Sequence, residues 1–190
     1  MGTERIGSAR DKIRDLARIL SPDYIISTGI CYGLKPYSVN KKDGNKIGDI
    51  IVANQVQMYE NVKVYDEDGE LEFIPRGDRA AVSTELLEIF RTASHFYQNA
   101  EVSFGLLLTG NMLVNSKHVV EKLKNLFPDA LNGDMEAGGI YSACHDNKSK
   151  WIAIKAISDW GYDKSDDYQD IARQNLYDFL FFVLKNYFLY

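Results

Sequence analysis

The chain has 190 residues, 45% of them hydrophobic and 26% charged, which suits one globular domain with a sizeable core. Its 22 Lys and Arg against 27 Asp and Glu leave a net charge of −5 with no basic block, so direct nucleic-acid binding, which needs a concentrated basic face, is not expected. Cys31 and Cys144 lie far apart without a CxxC pattern, which argues against a disulfide framework or a structural zinc site. The charged opening MGTERIGSARDK lacks the apolar core of a secretory signal, and the apolar tail FLFFVLKNYFLY is interrupted by Lys185 and Asn186. A spanning helix needs roughly 20 apolar residues. A cytoplasmic protein without a membrane segment is the expectation.

Ile6, Ala9, Ile13, Leu16, Ala17 and Leu20 recur at helical spacing, and Ser21-Pro22 ends that helix. DYIISTGI follows as a buried-strand pattern running into Gly29 and Gly33. After a loop at Lys41–Asn45, KIGDIIVANQVQMY reads as a strand, and NVKVYDEDGELEFI as a hairpin turning on Asp-Glu-Asp-Gly. Ser83 or Thr84 caps a helix through Ala93. SFGLLLTG is a strand, and Ser116 caps a helix ending near Phe127-Pro128. A short strand over 130–135 leads to a helix from about Glu136, then to the strand WIAIKAIS and a last amphipathic helix over 167–184. The apolar residues of that helix read as its core face, with an interface as the other possibility. No repeat, linker or low-complexity tract appears, and one domain over 1–190 is expected.

Strands alternating with helices predict a single three-layer α/β/α domain with a mixed, mostly parallel sheet. Ligands of such sheets sit outside the carboxyl ends of the strands. Four exits therefore form the candidate site: STGICYG, TGNMLVNS, GDMEAGG and ISDWG. Taken singly, each has an ordinary explanation. A glycine after a strand is turn chemistry, a carboxylate opening a helix (Glu136) answers the helix dipole, and Asp159 caps a helix. Met135, Leu113 and Val114 are ordinary core fillers by type. His95, His118 and His145 have no metal-ligand spacing.

In order and spacing, STGICYGL, KIGDIIVANQVQMY, LLLTGNMLVNS, FPDALNGDMEAGGIYSAC and IKAISDW together resemble the nucleoside phosphorylase and nucleosidase superfamily, which includes methylthioadenosine/S-adenosylhomocysteine nucleosidase. The resemblance covers about residues 1 to 184, and GDMEAGGIYSACHD with KAISDWGYDK looks closest to nucleosidase modules of defence and signalling proteins. It implies a small-molecule nucleoside or nucleotide substrate, no cofactor or metal, and a homodimer or higher homo-oligomer. By resemblance Asp159 is the general acid that protonates the departing purine, and Ser158 orients it. Glu136 matches the carboxylate that accepts the ribose hydroxyls, in one substrate-binding stretch with Asp134 and with Met135, which packs on the sugar. Leu113 and Val114 match the segment that reads the base edge, with a leucine where the family stacks an aromatic. Gly29 lies in the glycine loop beside ribose and nucleophile.

Two departures shape the expectation. The phosphorylases carry an arginine just before the glycine loop to grip phosphate, and Ile26-Ser27 stands there. Water is therefore favoured over phosphate. Family members also run longer at the N-terminus, where their first strand and a water-activating glutamate lie. Met1-Gly2-Thr3 corresponds to a later glycine turn, and Glu4 is not given that role. The resemblance thus implies a chain lacking the family's first strands, as a fragment or a shortened homologue. The leading expectation is hydrolysis of a purine nucleoside; the alternatives are a phosphorylase and a catalytically impaired nucleoside-binding module. No Walker-type loop marks a triphosphate site.

Overall fold

The computed structural model describes residues 6–36, 44–67, 69–77 and 79–189. The expectations placed on Met1-Gly2-Thr3, on Glu4 and on most of the 41–45 loop lie outside the described residues.

Helix α1 (Ile6–Leu20) leads into strand β1 (Tyr24–Gly33); then come β2 (Ile50–Met58), the hairpin β3 (Val62–Glu67) and β4 (Glu70–Pro75), and β5 (Arg79–Ala81). Helix α2 (Thr84–Ser94), β6 (Val102–Thr109), α3 (Lys117–Leu126), β7 (Ala130–Asp134), α4 (Ala137–Asn147), β8 (Lys150–Asp159) and α5 (Asp166–Tyr187) complete the order. Periodicity thus located every helix. Strand β5 escaped it, because three residues beside Pro75 and Gly77 carry no period of their own.

The sheet runs β5-β2-β6-β7-β1-β8, and β2 also pairs with β8. The parallel pairs β1–β8, β2–β6 and β6–β7 are long, while the antiparallel contacts of β1 with β7 and of β2 with β5 and β8 are short. The mixed, mostly parallel sheet expected from the sequence is therefore present, and β2 closes it on itself by meeting both β6 and β8. The hairpin β3–β4 forms a separate two-stranded sheet.

Strand β8 is the centre of the fold. From Trp151 to Asp159 every residue is buried, as expected for a strand covered on both faces. Ile152 and Ile154 join Phe90, Phe179 and Val183 in the main core. Helix α5 buries Ala172, Leu176, Phe179 and Val183 at helical spacing, which bears out its core face, while Tyr177, Phe181 and Leu184 remain exposed. Helix α4 packs tightly on α1 because of Gly139, where a Cβ would lie 2.0 Å from the Ile6 carbonyl oxygen.

Helix ends show where side chains are free for other work. Ser83 Oγ accepts the Leu86 N–H, as expected of a cap. Ser116 occupies the cap position of α3, yet its side chain makes no cap bond. Among the described residues no helix is long and apolar enough to cross a membrane, and no cluster of three His, Cys, Asp or Glu side chains is placed to hold a metal ion.

Candidate active site

Three of the four strand exits meet around β1. Its residue Tyr32 pairs with Gly133 of β7 on one side and with Asp159 of β8 on the other. A β-bulge between Cys31 and Tyr32 makes Ser158 the extra residue and brings Asp159 level with Tyr32. The β6 exit lies alongside, because Thr109 pairs with Asp134 and the Gly110 N–H bonds the Asp134 carbonyl.

Asp159 is buried and held at both oxygens. Its Oδ1 accepts the Gly161 N–H at 2.7 Å, a local turn bond; α5 starts only at Asp166, so Asp159 does not cap it. Its Oδ2 lies 2.9 Å from Ser158 Oγ, which is also 3.2 Å from the Cys31 carbonyl. One hydroxyl has one proton to donate. The Cys31 carbonyl and Asp159 Oδ2 therefore share the single Ser158 proton, which ties the carboxyl to β1.

The β7 exit carries the second set of charges. Asp134 has a side chain only 1% exposed; both its oxygens accept the Ala137 N–H at 3.2 Å, so Asp134 caps α4. Glu136 stands at the cap position itself but makes no cap bond. Its carboxylate turns instead to Lys155, at 3.1 Å. Lys155 Nζ also lies 2.8 Å from Asp134, with its own side chain 2% exposed. Burial alone would pull the Lys155 ammonium down, but Asp134 and then Glu136 reverse this and hold it above the ordinary lysine value. Burial, only partly opposed by Lys155, raises the Glu136 carboxyl above its usual range.

Sequence reasoning missed Lys155. Its signal was present: one charge in the otherwise apolar strand WIAIKAIS, where a lysine is almost never buried unless paired. Gly29 explains the route of the side chain. It is the register partner of Lys155, and a Cβ at Gly29 would lie 3.1 Å from Nζ. The missing side chain leaves the space the lysine needs to reach β7.

The remaining candidates differ in exposure. Leu113 is 72% exposed in the loop between β6 and α3, while its neighbour Val114 is buried in a cluster with Tyr32 and Tyr59. Asn111 is held by both oxygens of Glu60, and the Met112 N–H lies 3.3 Å from Tyr59 Oη. Met135 is half-buried beside Glu136. A cleft of 1030 Å³ lined by Lys35, Asn45, Asp49, Glu101, Ser103 and Leu131 shares none of these residues and sits at the amino ends of β6 and β7. The carboxyl ends are where such sheets bind ligands.

Residues 1–181 match the family model described as "Phosphorylase superfamily". The chain belongs to this superfamily. Among relatives in the phosphorylase superfamily, it is 30% identical over 174 residues to a death domain-containing ATP nucleosidase of Amphimedon queenslandica, covering 82% of this chain and 32% of that protein. It is 26% identical over 172 residues to the 5'-methylthioadenosine/S-adenosylhomocysteine nucleosidase of Tolumonas auensis, covering 87% of this chain and 70% of the other. The chain spans 57% of the corresponding Bacillus subtilis nucleosidase, so much of several relatives has no counterpart in it. The fold matches that of the Neisseria meningitidis nucleosidase solved with methylthio-immucillin-A, at a TM-score of 0.78 and 23% identity over 95% of this chain and 77% of that one.

Proposed function

We propose that this phosphorylase-superfamily chain hydrolyses the N-ribosidic bond of a purine nucleoside or nucleotide and releases the free base. The observation that carries the reading is the arrangement of two carboxylates in different settings across β1: Asp159 against a serine hydroxyl, and Glu136 against a buried ammonium. Bond cleavage of this kind passes through an oxocarbenium-like sugar. Asp159 gives its proton to the departing purine as the bond from C1′ breaks, and Ser158 holds the carboxyl in place. Glu136, ionised, accepts the ribose hydroxyls and lies near the developing positive charge. Met135 packs on the sugar, and Leu113 and Val114 line the base. Asp134 and Gly29 serve the site through Lys155, the one by anchoring its ammonium and the other by making room for it.

The same triad favours water as the nucleophile. Lys155 is the buried cation nearest the glycine loop, and its charge is already shared by two carboxylates. Formally the three groups sum to −1, so an incoming phosphate dianion would meet net repulsion. Ile26 and Ser27 add no positive charge.

The names of the relatives support an adenine-type base, and the solved nucleosidases include complexes with adenine. This reading takes residues 1–190 as one domain that works in the cytoplasm as a homo-oligomer. Two buried, unpaired cysteines support a reducing compartment, and the exposed stack of Tyr177 on Phe181 along α5 supports a subunit contact. The test is base release from adenosine, 5′-methylthioadenosine, S-adenosylhomocysteine and ATP, with and without inorganic phosphate. Adenine and a free sugar are expected from at least one substrate without phosphate. Turnover that requires phosphate and yields a sugar 1-phosphate would make the protein a phosphorylase, and no base release at high enzyme concentration would leave it a binding module.

A further inference from the structure

We infer that Tyr32 is a base-reading residue, its phenolic oxygen forming a hydrogen bond with the purine that Asp159 protonates. The inference rests on the nucleosidase reading above. Tyr32 is 6% exposed, and among the described residues its Oη is one of the few buried polar side-chain atoms that have no hydrogen-bond partner. An orphaned buried hydroxyl costs about 1–3 kcal/mol, and nearly all such groups in folded proteins are paired. The position of this one gives the reason.

Through its register Tyr32 stands between Gly133 and Asp159, so it joins the exit that carries Asp134 and Glu136 to the exit that carries the proton donor. The phenol end of its ring lies over Gly133 of β7: a Cβ there would sit 2.2 Å from Oη. On the other side, a Cβ on Gly161, whose N–H holds Asp159, would sit 3.6 Å from Tyr32 Cδ2. Tyr59 and Val114 pack in the same cluster, Tyr59 Oη touching the backbone of Met112 in the loop between β6 and α3. The ring thus reaches from Gly161, whose N–H holds Asp159, to Gly133 on the strand that leads to Glu136, and packs in one cluster with Tyr59 and Val114.

A purine offers ring nitrogens that accept and, in adenine, an exocyclic amine that donates; a phenol serves either. Asp159 takes one ring nitrogen, and Tyr32 supplies a second, fixed contact. Burial holds the phenol well above its ordinary range, so it reaches the base as a neutral O–H. Because Oη is buried, the contact forms as the exposed side chains of Met112 and Leu113 move aside to admit the base.

Tyr32→Phe keeps the ring and removes the oxygen. In calorimetric titrations with adenine, the variant is expected to bind about tenfold more weakly, the equivalent of one hydrogen bond. The unliganded variant is expected to melt no lower than the wild type, because an unpaired hydroxyl has gone. An adenine Kd within twofold of the wild type would overturn the inference and leave Tyr32 a packing residue or the partner of an ordered water. As a check that needs no variant to fold, the assigned Tyr32 13Cζ resonance of the wild type should move on adenine binding; an unmoved signal also overturns it. Failure of the wild type to bind adenine is a different outcome, which removes the nucleosidase reading and the inference with it.

Discussion

Lys155 reaches Asp134 at 2.8 Å by passing close to the bare backbone of Gly29, where any side chain would crowd its ammonium. In Gly29→Ala the new methyl would press on the ammonium at 3.1 Å. The Asp134 contact is the shorter and deeper of the two, so the Glu136 contact, at 3.1 Å, should give way first. The expected result is a KM raised several-fold with a destabilisation of about 1–2 kcal/mol, within the range for overpacking. Steady-state kinetics and urea denaturation check both.

Removing the cation should be far costlier than crowding it. Lys155→Met fills a similar volume but strands Asp134 and Glu136 at the end of β7. Breaking one side of a buried ion pair typically costs about 3–5 kcal/mol. Calorimetric melting should show a loss of that order. A loss below about 1 kcal/mol would place the pair among surface-like bridges.

The two members of the Ser158–Asp159 pair should differ in kind. Asp159→Asn keeps an oxygen for the Gly161 N–H but has no acidic proton. Base release should fall by about 10²- to 10⁴-fold, the usual worth of a positioned proton donor, while adenine binding survives. Ser158→Ala leaves the acid in place without its orienting hydroxyl, and a smaller loss, confined to kcat, is expected. Normal cleavage by Asp159→Asn would remove the proton-donor assignment.

The pH profile should report Glu136. An acceptor of ribose hydroxyls must be ionised, and burial raises its carboxyl above the ordinary value of 4.5. A raised value means the proton is retained to higher pH, so kcat/KM should fall on the acid side at a midpoint above 4.5. Lys155 is the main opposing influence, so the limb should move further toward neutrality in Lys155→Met. A limb unmoved by that substitution would separate Glu136 from the acid limb.

The sequence made the elements and the exits legible because both are local. A 3.6-residue period showed each helix, and glycine and acid pairs after apolar runs marked the strand ends. Lys155 stood out as a charge in an apolar strand, but its partners were invisible to the same reading, because they are brought to it by pairings between β1 and β7 and between β1 and β8 that no window contains. Asp134 was recognised as part of the site, yet its carboxylate is sealed against Ala137 and Lys155, and the open carboxylate is Glu136. The closure of β2 on β8 was equally silent, since Ile50–Val52 meets Ile154–Ala156 across about half the chain.

That closure also sets the order in which the molecule can come together. Strand β8 provides Asp159 and the buried cation, and its partners β1 and β2 were synthesised more than 90 residues earlier. Pairings so distant in sequence are slow to form. As the chain leaves the ribosome, the glycine exits, Asp134 and Glu136 all precede the lysine that neutralises them. Until residue 155 arrives, the centre of the sheet is an open seam with two like charges beside it. A nascent chain stalled before β8 therefore lacks both the central strand of the sheet and the cation that its two carboxylates share.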